Sequence, residues 1–237
     1  VTANLISKVV AKRLRMDANS VLNNTGHMIL NKVSSDDPVD LEAGANIATD
    51  IYLHISPING AIINQKAIDI NGFMNVDYCY QGGVRMTGDW TAKSLFVHGA
   101  HLANTEADAC ILDTNGHNLT LTSSAHWLSV GVIGDGYFGK VLFSTGVHSI
   151  AGSILSSVQN ANRAGMIDFG ASTVSVQRNI DFTKILVYPG SSTMILNGNV
   201  AQLVTSSGAV LNVVVASNTS ASGLTFADNF NASGLYV

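Results

Sequence analysis

The sequence predicts an all-β protein built as a parallel β-helix (β-solenoid), and three observations lead to this prediction. Short apolar runs alternate with polar residues along most of the chain, as at residues 119–122 and 174–176. Turn pairs such as Asn-Gly separate these runs. A repeat of 20 residues places Ser172 and Ser192 at equivalent positions, each between a small-residue turn and an alternating strand. A repeat of that length can supply one coil of three short strands.

The composition agrees with stacked parallel coils. Only 12% of the residues are charged, about half of the usual share of roughly 25%. In a coil stack the inward positions form apolar columns, and uncharged polar residues suit the outward columns because stacked like charges repel. Turn pairs also mark hairpins, so an antiparallel β-sandwich or jelly roll stays open as the alternative fold.

Two regions are expected, because the composition and the spacing of apolar residues change along the chain. Residues 1–20 lack Gly and Pro and are predicted to be a short amphipathic helix or an extended arm, with a frayed terminus as the alternative. Residues 21–237 are predicted to form the solenoid, less regular over 21–110 and with clearer repeats over 111–237. The arm carries a cluster of basic residues that we interpret as an assembly anchor: Lys8, Lys12, Arg13 and Arg15.

The second half of the chain carries recurring small-residue turns followed by alternating strands. They lie at residues 114–117, 170–173, 190–198, 208–215 and 224–230. In these features the chain from about residue 112 to 237 resembles a degenerate repeat found in phage virion proteins and in large bacterial surface or secreted proteins. The resemblance covers about half of the chain. It implies a β-solenoid in fibres, virion surface proteins or adhesins, and it implies no catalytic residues.

Charge and hydropathy limit the partners that we expect. The net charge of −4 gives no positive potential that would attract nucleic acid. The sequence contains no run of 18 apolar residues, so we expect no membrane insertion. The chain begins with Val1 rather than Met, as expected of a processed chain or a fragment.

The residues that carry enzyme chemistry do not form a recognisable constellation in the sequence. The densest acidic stretch spans residues 35–42 and contains Asp36, Asp37, Asp40 and Glu42. These carboxylates could ligate Ca²⁺, but the stretch lacks the spacing of an EF-hand, and we interpret it as a solvated turn. The glycine-rich residues 131–136 lack the Lys-Ser/Thr of a phosphate loop. We therefore expect no enzyme activity, no catalytic residues and no cofactor.

Histidines suggest a metal site in one place only. His98 and His101 have Glu106 and Asp108 nearby, but the segment has no helical face to align them, so we expect no metal site. His117 and His148 follow similar turns, which suggests stacked turn residues. The two cysteines, Cys79 and Cys110, form no disulfide framework or metal pattern. They are expected to be buried as small apolar residues, with a bridge between them as the alternative.

Three functions follow from these expectations. The first is a structural virion protein of a phage (capsid decoration, fibre or tail-associated) at the virion surface, with other virion proteins and copies of itself, such as a trimer, as partners. The second is an adhesin or carbohydrate-binding module at the bacterial surface or outside the cell. Its host-surface glycan would stack on exposed aromatic residues, for which the candidates are Trp90, Trp127, Tyr137 and Phe138. The preferred interpretation of these four aromatics is that they are core or corner residues. A polysaccharide lyase or hydrolase is the least favoured.

Overall fold

The chain winds as a parallel β-helix whose coils visit three faces in a fixed order. The computed structural model describes residues 2–4, 8–23, 26–43, 45–47, 51–99, 106–131, 138–156 and 165–237. In this part of the chain every strand pair is parallel, and no α-helix occurs. The predicted fold is therefore confirmed, and the alternative of an antiparallel sandwich is wrong.

The second face visited in each coil carries the longest sheet, with ten strands. In chain order these are β2 (Lys8–Ala11), β5 (Gly26–Val33), β8 (Ile51–Pro57), β11 (Phe73–Cys79), β14 (Ser94–Gly99), β17 (Trp127–Val130), β20 (Ser153–Leu155), β23 (Ile180–Asp181), β26 (Gln202–Thr205) and β28 (Leu224–Phe226).

The first face carries three strands and then eight. These are β1 (Thr2–Asn4), β4 (Val21–Asn23) and β7 (Asn46–Ile47), followed by β10 (Ile68–Asp69), β13 (Trp90–Ala92), β16 (Leu119–Leu121), β19 (Val147–Ile150), β22 (Thr173–Val176), β25 (Thr193–Leu196), β27 (Val210–Ala216) and β29 (Asn231–Tyr236).

The third face carries two strands and then six. These are β3 (Leu14–Met16) and β6 (Val39–Leu41), followed by β9 (Ile62–Gln65), β12 (Gly82–Met86), β15 (Cys110–Asp113), β18 (Gly139–Leu142), β21 (Gly165–Asp168) and β24 (Ile185–Tyr188). A single 3₁₀ turn, Glu106–Asp108, precedes β15. The Gln65 side chain bridges the gap between β6 and β9, because its amide bonds both backbone groups of Val39.

The core is a set of apolar columns inside the stack. On the second face, Leu53 pairs with Met74, which pairs with Leu95, and all three side chains are at most 1% exposed. Residues at one position of successive strands share a column because parallel pairing in register places them about 4.8 Å apart. The alternation seen in the sequence therefore specifies which side chains point inward.

The repeat of 20 residues corresponds to one true coil. Thr173 of β22 pairs with Thr193 of β25, and the preceding turns stack Gly190 on Gly170. Both glycines have positive φ, and a Cβ on Gly190 would lie 2.0 Å from the Gly170 oxygen. A side chain is thus excluded twice at this corner, by backbone conformation and by the close stacking.

Residues 1–20 do not form the predicted helix in the part that is described. Lys8–Ala11 and Leu14–Met16 are strands that pair with β5 and β6 of the following coil. The strand pairing is continuous across residue 20. The near-helical spacing of apolar residues was misleading because β2 is an edge strand, and its residues Lys8, Val9 and Val10 are all exposed. The residues of β2 therefore do not alternate between buried and exposed positions.

Candidate functional site

The outer side of the second face contains a buried polar cluster, which is unusual for outward-facing positions of a solenoid. Leu53, Ile55 and the residues paired with them point into the core, so the residues between them point outward. Five of these outward residues are nevertheless no more than 8% exposed: His54, Ser56, Asn75, Asp77 and His98. A buried carboxylate is costly unless it is paired, so Asp77 requires hydrogen-bond donors among its neighbours.

Strand register brings the cluster together from three successive coils. His54 of β8 is the register partner of Asn75 of β11. One step further, the inward residues Ile55 and Val76 pair, and the next outward residues are Ser56 and Asp77. His98 of β14 follows Val97 in the same way, since Val97 pairs with Val76. Residues far apart in the sequence thereby become neighbours about one strand spacing apart.

Asp77 is the hydrogen-bond centre of the cluster. Ser56 Oγ donates to Asp77 Oδ1 at 2.7 Å, and His54 Nδ1 lies 2.5 Å from Asp77 Oδ2. His98 Nε2 lies 3.5 Å from Oδ2. Burial alone would raise the pKa of Asp77, but hydrogen bonds from His54 and His98 outweigh it and lower the pKa to about 2. Asp77 is therefore ionised at neutral pH and can only accept, so the 2.5 Å contact places a proton on His54 Nδ1. The Asn75 amide nitrogen, 3.1 Å from the same His54 Nδ1, then does not donate to it.

A second histidine extends this arrangement to the surface. His27 Nδ1 lies 2.9 Å from His54 Nε2, and the His27 side chain is exposed. Partial burial, the neighbouring His54 and the Lys8 ammonium lower the pKa of His27. Asp77, His54 and His27 thus form one continuous chain of hydrogen bonds that leads from the buried carboxylate to an imidazole in contact with solvent.

An aromatic column lies beside this chain of hydrogen bonds. The His27 ring stacks on Tyr52 with centroids 5.0 Å apart, and Tyr52 stacks on Phe73 at 4.6 Å. The His126 ring meets Phe73 edge-on at 4.7 Å. Because the rings are stacked along the solenoid axis, the Tyr52 ring is covered on both faces by its neighbours. The column therefore fixes the orientation of His27 and offers no open ring face at Tyr52.

A disulfide closes the corner next to Asp77. Tyr78 has a φ of 55°, and the register of β11 and β14 shifts between Val76 and Cys79. This bulge turns Cys79 inward, where it bonds to Cys110 with 5.2 Å between the Cα atoms, and neither residue is exposed. Our preferred interpretation of the cysteines as separate buried residues is wrong, and the bridge is confirmed.

The predicted anchor residues lie on the first coil. All four are exposed, but two of them make ion pairs with the next coil: Arg13 lies 3.4 Å from Asp40 and Arg15 lies 3.3 Å from Glu42. The four exposed anchor residues are Lys8, Lys12, Arg13 and Arg15. The two arginines therefore help to hold the first two coils together. The role of the four residues as an anchor stays a prediction.

The acidic stretch at residues 35–42 is used internally. Both carboxylate oxygens of Asp36 accept hydrogen bonds from Asn64, and Asp37 accepts one from the Lys66 backbone. Asp40 contacts the Lys66 ammonium as well as Arg13. These carboxylates link the second coil to the third, which agrees with a structural turn. Among the described residues no group of three or more His, Cys, Asp or Glu is arranged to hold a metal ion.

The four aromatic candidates for glycan stacking occupy different environments. Trp90 is fully buried, and its Nε1 donates to the Lys66 oxygen; Phe138 is also buried, at 6% exposed. Trp127 is partly exposed on the outer side of the second face. Tyr137 lies outside the described residues. Trp90 and Phe138 are therefore packing residues, in agreement with the preferred interpretation, and they provide no stacking platform.

The histidine interpretations also change. His101 lies outside the described residues, as do residues 132–137 of the glycine-rich stretch, and His98 belongs to the cluster around Asp77. His117 and His148 do not stack, because Thr120 pairs with Ser149 and this register places His148 beside Leu119. His148 is fully buried, and its Nδ1 accepts a hydrogen bond from the Leu119 backbone. Burial lowers the pKa of His148 to about 4.

The cluster around Asp77 was not found from the sequence. Its members are isolated polar residues at alternate positions of apolar strands, which is also the pattern of ordinary outward residues. Only coil length determines which of them meet. That length varies between register partners, from 19 residues at Lys8 and His27 to 33 residues at Phe96 and Ser129.

Comparisons with family models, with curated proteins and with solved structures found no match for this chain. The resemblance to phage and bacterial surface repeats is thus supported only in its fold, a β-solenoid. Among the described residues, no helix has the length and apolar character needed to span a membrane.

Proposed function

We propose that this chain is a structural attachment protein, a phage virion component of the capsid-decorating, fibre or tail-associated kind. The observation that carries the proposal is the buried Cys79–Cys110 bridge between adjacent coils of a continuous parallel stack. Structural disulfides persist in oxidising surroundings and are rare in the reducing cytosol. A virion surface, or the extracellular side of a bacterial surface, provides such surroundings.

The first coil supplies a surface for assembly with a second copy of the chain. Val10 is 57% exposed and Val9 is 39% exposed. Both lie on β2, which within the described residues pairs only with β5. An open edge strand with exposed apolar side chains is a template for pairing with another chain. Lys8 begins this strand and Lys12 directly follows it, so the surface would favour a partner with acidic groups.

The experiment is light scattering coupled to size-exclusion chromatography on the full chain. Val10→Asp adds a charge to the exposed edge and leaves the core unchanged. Val147→Asp is a matched control, because Val147 is 64% exposed on the first face in a different coil. We expect an oligomer for the wild type and for Val147→Asp, and a monomer for Val10→Asp. A monomeric wild type, or equal disruption by both variants, would reject assembly through this edge.

A second candidate function is glycan attachment as an adhesin or carbohydrate-binding module. It is favoured by one residue, Trp127, whose partly exposed ring lies on the outer side of the second face, edge-on to Phe96 at 6.3 Å between centroids. The decisive comparison is glycan-array binding of the wild type and Trp127→Ala. Binding that disappears in the variant would support this function, and no binding by the wild type would remove it.

A polysaccharide lyase or hydrolase receives less support from the described outer surfaces. Two-carboxylate hydrolysis of a glycosidic bond needs a pair of carboxyl groups on either side of the bond. On the third face Asp113 and Asp168 share a column, but Leu142 separates them. Asp113 also pairs with Arg85 at 3.0 Å.

A further inference from the structure

We infer that Asp77, His54 and His27 form a proton relay that makes the exposed Nε2 of His27 a general base, and that this site hydrolyses carboxylic esters. The inference goes beyond the proposed attachment function and does not depend on it. It rests on the continuous chain of contacts described above, 2.5 Å from Asp77 to His54 and 2.9 Å from His54 to His27.

Proton positions follow from the contacts. Asp77 is a buried carboxylate that accepts from Ser56 and His54, so the Nδ1 proton of His54 is committed to Asp77. The Nε2 of a neutral His54 must then accept, which requires His27 to carry its proton on Nδ1. His27 Nε2 is consequently a lone pair directed away from the relay. Stacking of the His27 ring on Tyr52 restricts its rotation.

Because its pKa is lowered, His27 is neutral at pH 7 and available to accept a proton. The relay assists this proton transfer in the following way. When Nε2 takes a proton from water, the Nδ1 proton can move to His54 Nε2. The positive charge then rests on His54, where the ionised Asp77 stabilises it. This is the arrangement by which a carboxylate supports an imidazole base in acyl transfer, with a second imidazole inserted between the buried acid and the surface.

The chemical class of the substrate follows from the groups at the exposed end. The relay offers one exposed base, and its single carboxylate, Asp77, is buried, so it does not supply the pair of carboxyl groups that flank a glycosidic bond during hydrolysis. Lys8 is the exposed register partner of His27 on β2, and its charge is near enough to lower the pKa of His27. A cation next to the base is the kind of group that stabilises a developing oxyanion. A base beside a cation suits addition of water to an ester carbonyl.

The reaction balances as a hydrolysis. His27 Nε2 removes a proton from water, and the hydroxide oxygen bonds to the ester carbonyl carbon. The tetrahedral adduct then breaks its bond to the alkoxy oxygen, which takes the proton back from His27. The products are a carboxylic acid and an alcohol, and the relay returns to its starting protonation state.

The first test measures 4-nitrophenyl acetate hydrolysis by the full chain. Three variants are compared with the wild type: His27→Gln, Asp77→Asn and His117→Gln. His117 is the control because it is a partly exposed histidine 3.7 Å from a carboxylate, Asp89, but is not part of a relay. We expect His27→Gln to lower the rate about 100-fold, within the range for general base catalysis, and Asp77→Asn to lower it at least about tenfold. The rate of His117→Gln should equal that of the wild type.

Each contrary result would overturn a different part of the proposal. Equal rates for the wild type and His27→Gln would overturn the site. A loss in His27→Gln with full activity in Asp77→Asn would overturn the relay, because His27 would then act as an ordinary surface imidazole. Absorbance must show release of more than one equivalent of 4-nitrophenol per chain, and mass spectrometry must show no acetylated lysine. Simple acylation of Lys8 would also overturn hydrolysis.

A second measurement does not depend on any variant folding correctly. Nitrogen-15 chemical shifts of the wild type report the tautomer of each imidazole. We expect neutral His27 to carry its proton on Nδ1, the less common tautomer of free histidine. A proton on Nε2 of neutral His27 would overturn the relay. Assembly, measured separately by light scattering, can fail or succeed without affecting either result.

Discussion

Removal of the disulfide should destabilise the solenoid by an amount that follows from the length of the closed loop. Cys79 and Cys110 are 31 residues apart, and a bridge across such a loop reduces the unfolded-chain entropy by a free-energy equivalent of about 3.7 kcal/mol at 25 °C. Both residues are completely buried, so Ala is the appropriate replacement, since Ser would bury two hydroxyl groups. We expect the Cys79→Ala/Cys110→Ala variant to lose about 3–5 kcal/mol.

Urea unfolding at equilibrium measures this loss. The control is wild-type protein that has been unfolded, reduced and refolded with reductant present, which should show the stability of the double variant. The loss should also be local, because in a stack each coil contacts only its neighbours. Hydrogen exchange should therefore accelerate most in β11 and β15, which contain the two cysteines, and least in β25 and β27.

The reasoning would be refuted by either of two results. A double variant within about 1 kcal/mol of the wild type would show that the bridge does not restrict the unfolded chain as calculated. Two free thiols found by mass spectrometry in the unreduced protein would show that the bond is absent. The second result would also remove the main support for an oxidising location.

Three further predictions concern the core, a buried histidine and a stacked glycine. Leu95→Ala should cost about 2–5 kcal/mol in urea unfolding because it empties part of the central apolar column, whereas the outward Thr120→Ala should stay within about 0.5 kcal/mol of the wild type. For His148, burial lowers the folded pKa to about 4, so stability is complete above the unfolded pKa of about 6.5 and falls as the pH drops to 4. The loss approaches about 3 kcal/mol, and His148→Gln should remove that part of the pH dependence; an unchanged slope in the variant would contradict it. Gly83→Ala should destabilise by at least about 3 kcal/mol, because its Cβ would lie 2.0 Å from the backbone oxygen of Ile111; a melting temperature equal to that of the wild type would reject the close stacking.

The fold could be predicted from the sequence because its causes are local. Alternation specifies the inward side of each strand, and Gly-containing turns such as the one at Gly190 specify the corners. The stacked equivalence of Thr173 and Thr193 was visible as a repeat because no residues are inserted between those coils. Where connections differ in length, as between Phe96 and Ser129, no repeat can be read, although the pairing is equally regular.

The polar cluster could not be predicted, because its causes are not local. His54 and Asp77 are 23 residues apart, and the contact exists only because one coil has the length that aligns their strands. A change of one residue in that coil would turn Asp77 toward the core. The cysteines illustrate the same limit. Burial and bridging were treated as alternatives, although Cys79 and Cys110 are buried and bonded to each other.

The location of the cluster is itself an argument for function. A coil stack gains its stability from inward apolar columns and backbone pairing, and neither requires a carboxylate on the outer side. Replacing a buried ion pair by apolar residues of similar size is often neutral or stabilising. The ionised Asp77 with its His and Ser donors is therefore more than this scaffold needs for folding. Packing does not explain the buried charge, whereas the proposed relay does, because Asp77 acts through His54 on the exposed His27.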